Sequence, residues 1–337
     1  MSQTPAVNRP TYKVAQMSEK ASFLILLSRL CAGITQPLHT FGRPPVPLRD
    51  VLFAMVFKVY STKSCNWCIP DLQTAQAQNL MSKVPMPSTI LKYFEMKSVT
   101  VLLRQLIIES GLPLCDVETV FAVDSTGLST SRFARWVDHR YGKAEVREKR
   151  QWIKVHIMCG VITNIVTAVE ITGPTAGDSP YFKVLLETTL KHFHVKEVSG
   201  DKAYSALKNL LTAWENKVLP FVPFKANAKP VHRTKDPLWT RLYHFYSLNS
   251  EWFETHYHKR SNVESTFSMI KRKFEPNLRS KTKTAQVNEA LCKVLCHNLC
   301  VIIHSMYELG IEPEFWQKND KSSEALPEKN ESSDLPA

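Results

Sequence analysis

The chain has 337 residues, 44% of them hydrophobic, which excludes a wholly disordered or collagen-like protein and leaves room for two domains. Lys and Arg number 43 against 31 Asp and Glu, a formal charge of +12 that points to a polyanionic partner, nucleic acid before anionic membrane. The longest apolar runs, near residues 23–27 and 51–57, fall far short of the roughly 20 residues of a spanning helix. The polar opening MSQTPAVNRPTYK does not read as an export signal, so the eight cysteines are expected to be reduced thiols in the cytosol.

Residues 1–16 read as a flexible lead. Over 17–114 the spacing predicts helices at 18–32, 47–60, 71–81 and 88–110, punctuated by proline clusters at 44–47 and 85–87. The pair 71–81 and 88–94 is a candidate helix-turn-helix, and DNA-end binding is the role expected of this region. The pattern changes near residue 114. An apolar strand at 120–124 ends on Asp124. Strands at 152–158 and 161–171 follow, with a turn at Thr163 and Asn164. A helix at 181–192, a strand at 195–199 ending in Gly200-Asp201, a helix at 204–216 and a strand at 219–223 come next. Helices at 250–274 and 284–308 complete the series, and 311–337 reads as a disordered tail. The order βββαβαβα predicts an α/β layer fold over 115–310.

Three acids stand out by position. Asp124 and Asp201 close apolar strands, and Glu264 lies on a helix among basic residues. Rigid mounts suit catalytic carboxylates. Acids that converge repel one another, and a divalent cation relieves the repulsion. Two such ions activate a nucleophile and stabilise a leaving oxygen in phosphodiester chemistry. Asp178 competes for the second position, but it heads a helix and is read as its N-cap. On a continuous helix Tyr257, Arg260, Glu264 and Lys271 fall within roughly 60° of one another. Val263, Phe267, Ile270 and Phe274 form the apolar stripe beside them, expected to bury against a sheet. The run from Tyr257 to Lys283 is strongly basic, including Arg272 and Lys273, as a phosphate-tracking surface would be.

Tyr257-x2-Arg260-x3-Glu264-x6-Lys271 resembles the Y-x2-R-x3-E-x6-K signature of the DDE transposases of bacterial and archaeal insertion sequences. VFAVDSTG at 120–127 and SGDKAYSALKN at 199–209 extend the resemblance over about 115–310. It implies an RNase H-like catalytic core, a mixed sheet flanked by helices, behind an N-terminal helical domain. Asp124, Asp201 and Glu264 would then be the catalytic ligands of two Mg²⁺ or Mn²⁺ ions. Tyr257, Arg260 and Lys271, with Arg272 and Lys273 beside them, would contact DNA. The implied activity is cleavage at terminal inverted repeats and strand transfer to target DNA, by a homodimer in the synaptic complex. A cytoplasmic, nucleoid-associated protein with no membrane role is expected. Two alternatives stay open: a decayed transposase acting as a DNA-binding regulator, and an RNase H-like nuclease without strand transfer. Relatives with a large β-rich insertion before the Glu differ from this chain, which is too short for one. Many relatives have Gly where Ala203 stands.

The remaining motifs read as follows. The segment 132–154 is rich in Arg and Lys with Trp136, Tyr141 and Trp152 between them, as either a solvated hairpin or a strand-end contact surface. Cys65-x2-Cys68 lacks a second pair for structural zinc. Cys292, Cys296 and Cys300 read as helix core, and His156 as a structural histidine on a strand.

Overall fold

The structure, a computed structural model, describes residues 9–130 and 152–316 apart from 40, 43 and 233. The segments 1–8, 131–151 and 317–337 lie outside the described residues, and with them most of the basic 132–154 run. Among the described residues five strands form one mixed sheet in the order β3-β2-β1-β4-β5. They are β1 (Val120–Ser129), β2 (Trp152–Gly160), β3 (Val166–Thr172), β4 (Glu197–Gly200) and β5 (Leu219–Phe221). The first three are antiparallel neighbours, and β4 and β5 run parallel to β1. Parallel neighbours need long connections. Helix Phe182–Leu190 lies between β3 and β4, and helix Leu207–Glu215 between β4 and β5.

The β2–β3 turn falls where the sequence puts it. Asn164 adopts φ 66°, a conformation asparagine tolerates, and the Gly160 amide donates to the Ile165 carbonyl at 2.8 Å. Glu118 is fully buried beneath this turn. Its carboxylate accepts from the amides of Ile162 and Thr163 and from the Thr163 hydroxyl. A Cβ on Gly160 would meet the Glu118 carboxyl carbon at 2.2 Å, so glycine is required there.

The N-terminal helices are α1 (Arg9–Ala32), α2 (Leu48–Tyr60), α3 (Cys65–Ala77), α4 (Pro87–Phe94) and α5 (Lys97–Gly111). Helix α1 thus begins inside the stretch expected to be a flexible lead. The single helix expected at 88–110 is two helices, because Asn288 enters the break and donates to the Phe94 and Met96 carbonyls. The helix-turn-helix expectation fails on spacing: residues 78–86 separate α3 from α4, where that motif uses a turn of about 3–4 residues. Asp50, 2% exposed, anchors this connection by accepting from the Ser82 amide and hydroxyl and the Lys83 amide.

The connecting helices in the α/β half are α6 (Phe182–Leu190) and α7 (Leu207–Glu215). They are followed by α8 (Pro237–Leu248), α9 (Ser250–Tyr257), α10 (Ser261–Phe274) and α11 (Lys283–Leu309). Helix α8 is absent from the sequence expectation, although its start carries a signal. Asp236 precedes Pro237, and its carboxylate caps the Leu238 amide at 2.9 Å. Between β5 and Glu264 the described residues form helices and no strand.

Helix α11 joins the two halves. By length and composition it could cross a membrane, but 83% of its most apolar window is buried inside the fold. It packs against α1, α2 and α5 and reaches the sheet. Phe23, Phe53 and Phe57 belong to the same apolar core as Leu295, Val155 and Phe267. Cys292, Cys296 and Cys300 are buried in it. Asn298 links α5 to β3 by donating to the Ser110 hydroxyl and the Val166 carbonyl. A second core of Phe121, Val123, Met158, Phe182 and Tyr204 fills the opposite sheet face under α6 and α7.

Candidate functional site

Strand alternation gives β1 two chemical faces. Ala122 and Leu128 lie in the core shared with α10, while Phe121 and Val123 lie in the core under α6. Asp124 and Thr126 therefore face α10, and Ser125 faces α6. Val123 is paired with Gly200 in the parallel register, so Asp124 and Asp201 follow on neighbouring strands where β4 ends. Asp201 also caps a short 3₁₀ turn, accepting from the Ala203 amide at 2.8 Å. That bond uses the backbone, so alanine serves there as glycine would.

Glu264 sits in the first turn of α10 with its side chain 57% exposed. Val263, Phe267, Ile270 and Phe274 are all buried, as the stripe predicts. The expected single helix 250–274 is instead broken by a 3₁₀ turn, His258–Arg260. Tertiary contacts impose the break. Glu197 on β4 takes His256 at 2.8 Å and Lys259 at 3.1 Å, and the His256 ring stacks on Phe221. Arg260 then reaches both acids, 3.2 Å to Asp124 and 2.5 Å to Glu264. Its guanidinium lies 5.8 Å from the Tyr257 ring centre. Lys271 donates to the Thr126 hydroxyl at 2.6 Å, on the same face as Asp124.

Burial pushes the Asp124 carboxyl above its usual range, and the charges of Asp201 and Glu264 add to the effect. The Ser125 amide, 2.8 Å from the Asp124 carboxylate, and Arg260 oppose it. Burial also lowers the Lys271 ammonium below its usual value. The two remaining basic residues diverge. Arg272 is exposed, whereas Lys273 is turned to α1, where it pairs with Glu19 and lies over the Tyr60 ring.

The acids present hard oxygen donors of the kind Mg²⁺ takes. As the side chains stand, no three His, Cys, Asp or Glu among the described residues are gathered closely enough to hold an ion. Arg260 is the cation between Asp124 and Glu264 in this arrangement. The Tyr204 hydroxyl is buried without a hydrogen-bond partner, in the field of Asp178, Asp124 and Asp201. An unpaired buried donor beside an acid pair fits a site built to receive a hydrated cation.

The N-cap expected of Asp178 is not made. Asp178 occupies the cap position without a side-chain capping bond. Its carboxylate goes instead to Ser125, Lys154 and His156. His156 is buried as expected, stacked on Tyr181 at 4.5 Å. Cys65 and Cys68 are both buried in the helical core.

Helices on both faces of a mixed five-stranded sheet, with acids on the first strand, after the fourth and on a later helix, define an RNase H-like domain. A family model described as a transposase DDE domain matches residues 116–299, more than half of the chain, and the chain belongs to that family. Transposition of DNA is the function that goes with it, and the family generally uses divalent metal ions. A comparison with curated proteins gives no significant match.

Proposed function

We propose that this chain is an insertion-sequence transposase that binds terminal inverted repeats, cleaves DNA strands and transfers the freed 3′ ends to target DNA. The observation that supports the reading is Arg260 held between Asp124 and Glu264, with Asp201 following on the strand beside Asp124, three acids from separate parts of the chain. Two Mg²⁺ or Mn²⁺ ions held by those acids would activate the attacking oxygen and stabilise the leaving one. Asp124 and Asp201 supply ligands from the sheet, and Glu264 supplies one from the exposed start of α10. Arg260 and Lys271 hold phosphates flanking the cut, and Tyr257 packs beside Arg260 at the DNA end. Arg272 extends the phosphate track. Lys273, occupied by Glu19, braces α10 against α1. The helical region 17–114 contributes to end recognition. Two ends must be brought together, so the active form is a homodimer on DNA, acting in the cytoplasm at the nucleoid.

The test starts from a randomised duplex pool selected for binding in Ca²⁺ and then exposed to Mg²⁺. Wild type should nick or cut the selected duplexes and join them to a second DNA. Asp124→Ala should bind equally and cut nothing. Cutting by both proteins overturns the assignment, and cutting without joining favours a nuclease.

A further inference from the structure

Asp178 is the acid that the catalytic reading leaves unused, yet it is among the most heavily partnered in the molecule. It accepts the Ser125 hydroxyl at 2.6 Å, pairs with Lys154 Nζ at 2.7 Å and lies 3.2 Å from His156 Nδ1. Those partners share one face of the β1–β2 ladder. Ser125 and His156 are opposite each other in register, and Lys154 stands two residues along β2 on the same side. The 3₁₀ turn after Asp178 is fixed in turn, because Asn209 of α7 donates to the carbonyl and hydroxyl of Ser179. Lys154 also donates to the Ala176 carbonyl at 3.1 Å.

Ser125 links this cluster to the catalytic face. Its hydroxyl is held by Asp178 on the α6 side, while its amide donates to the Asp124 carboxylate at 2.8 Å. A rotation of the Ser125 peptide would move that amide and free the Asp124 carboxylate to turn. Burial opposes charge on Asp178, but the bonds from Lys154 and Ser125 and the Lys154 charge outweigh it and hold the carboxyl below the usual carboxylate range. A charged acceptor is a stronger clamp for a hydroxyl than a neutral one.

We propose that Asp178 is a positioning residue for strand cleavage: through Ser125 it orients the Asp124 carboxylate on the opposite face of β1 for metal binding. This rests on the proposed function, since it assigns Asp124 a metal ion to hold. Supporting contacts of this kind are worth about 10–100-fold in metal affinity or activity.

The experiment measures two things on the full chain: Mn²⁺ binding by electron paramagnetic resonance, and nicking of a supercoiled plasmid in Mn²⁺. Asp178→Ala and Ser125→Ala should each weaken Mn²⁺ binding and lower kcat by about tenfold or more, with KM for plasmid changed less than about twofold. The double variant should be no worse than either single one, because both remove one contact. Asp178→Asn, whose amide oxygen still accepts the Ser125 hydroxyl, should recover most of the loss. If Asp178→Ala fails to fold, the Ser125→Ala and Asp178→Asn pair carries the same test. Wild-type Mn²⁺ binding and kcat in Ser125→Ala overturn the proposal, as do additive losses in the double variant. A wild-type protein that neither binds Mn²⁺ nor nicks takes down the proposed function itself, and this reading with it.

Discussion

Asp124 and Asp178 sit against opposite faces of one strand pair, and burial, which raises both, prevails at the first and is outweighed at the second. Burial lifts Asp124, and two further acids, Asp201 and Glu264, push it the same way against Arg260. Burial also opposes charge on Asp178, but there the bonds and charge of Lys154, with the Ser125 hydroxyl, prevail and hold it low. The difference separates an acid left short of positive charge from one supplied with it. A carboxylate in the first condition is ready for a cation, and one in the second already has its cation from the protein.

Activity separates the two acids most strongly. Asp124→Asn should cost at least about a thousandfold in plasmid nicking, since several kcal/mol of charge stabilisation would be lost. Plasmid retention in Ca²⁺ should be unchanged. A drop of less than about tenfold would put Asp124 outside the chemistry.

Stability separates them next. Glu118 marks the purely structural limit, an acid wholly enclosed by the β2–β3 turn. Glu118→Ala should lose about 3 kcal/mol in urea unfolding, because buried amides of the turn lose their acceptor. Asp124→Asn should unfold no more easily than wild type, as it removes an under-compensated buried charge.

Acid titration gives a smaller effect with a definite sign. Asp178, Glu197 and Asp71 are held below the usual carboxylate range. A group whose folded value is depressed contributes stability above its unfolded value and loses it as pH falls through the folded one. Asp124, raised on folding, has the opposite slope: its cost fades as pH falls. Urea unfolding between roughly pH 6 and 3 should therefore fall less steeply in Asp178→Asn than in wild type, and more steeply in Asp124→Asn.

The smallest effects concern the two lysines of α10. Lys271→Ala should reduce the salt slope of DNA binding by about one phosphate, whereas Lys273→Ala should leave the slope alone. The latter should cost less than about 1 kcal/mol of stability, as an ion pair at the surface does. Equal slopes for the two variants would erase the distinction drawn from the Lys273–Glu19 pair.

Much of this fold follows from local pattern. Alternation in 152–158, an apolar run ending on Asp124 and the stripe Val263, Phe267, Ile270, Phe274 are properties of neighbouring residues. Periodicity of about 2 or 3.6 records them directly. The succession of strands and helices from Asp124 to Glu264, apart from α8, and the buried character of Cys292, Cys296 and Cys300 were legible for the same reason. Helix α8 had its capping signal in Asp236-Pro237, but an aromatic-rich segment without a clean apolar stripe hid it.

Local pattern was enough for the class of fold, for the strands and helices that carry Asp124, Asp201 and Glu264, and for the basic line beside them. The partners that each acid takes came from the packing of distant segments. Glu197 pulls His256 and Lys259 to the sheet, and so splits one expected helix and aims Arg260 at Asp124. Asn288 divides another expected helix, and a β1–β2 face claims Asp178 in place of a helix cap. These partners are far apart in sequence, and their energies depend on burial and charge at close range. Local propensity therefore carries no trace of them until the chain has folded.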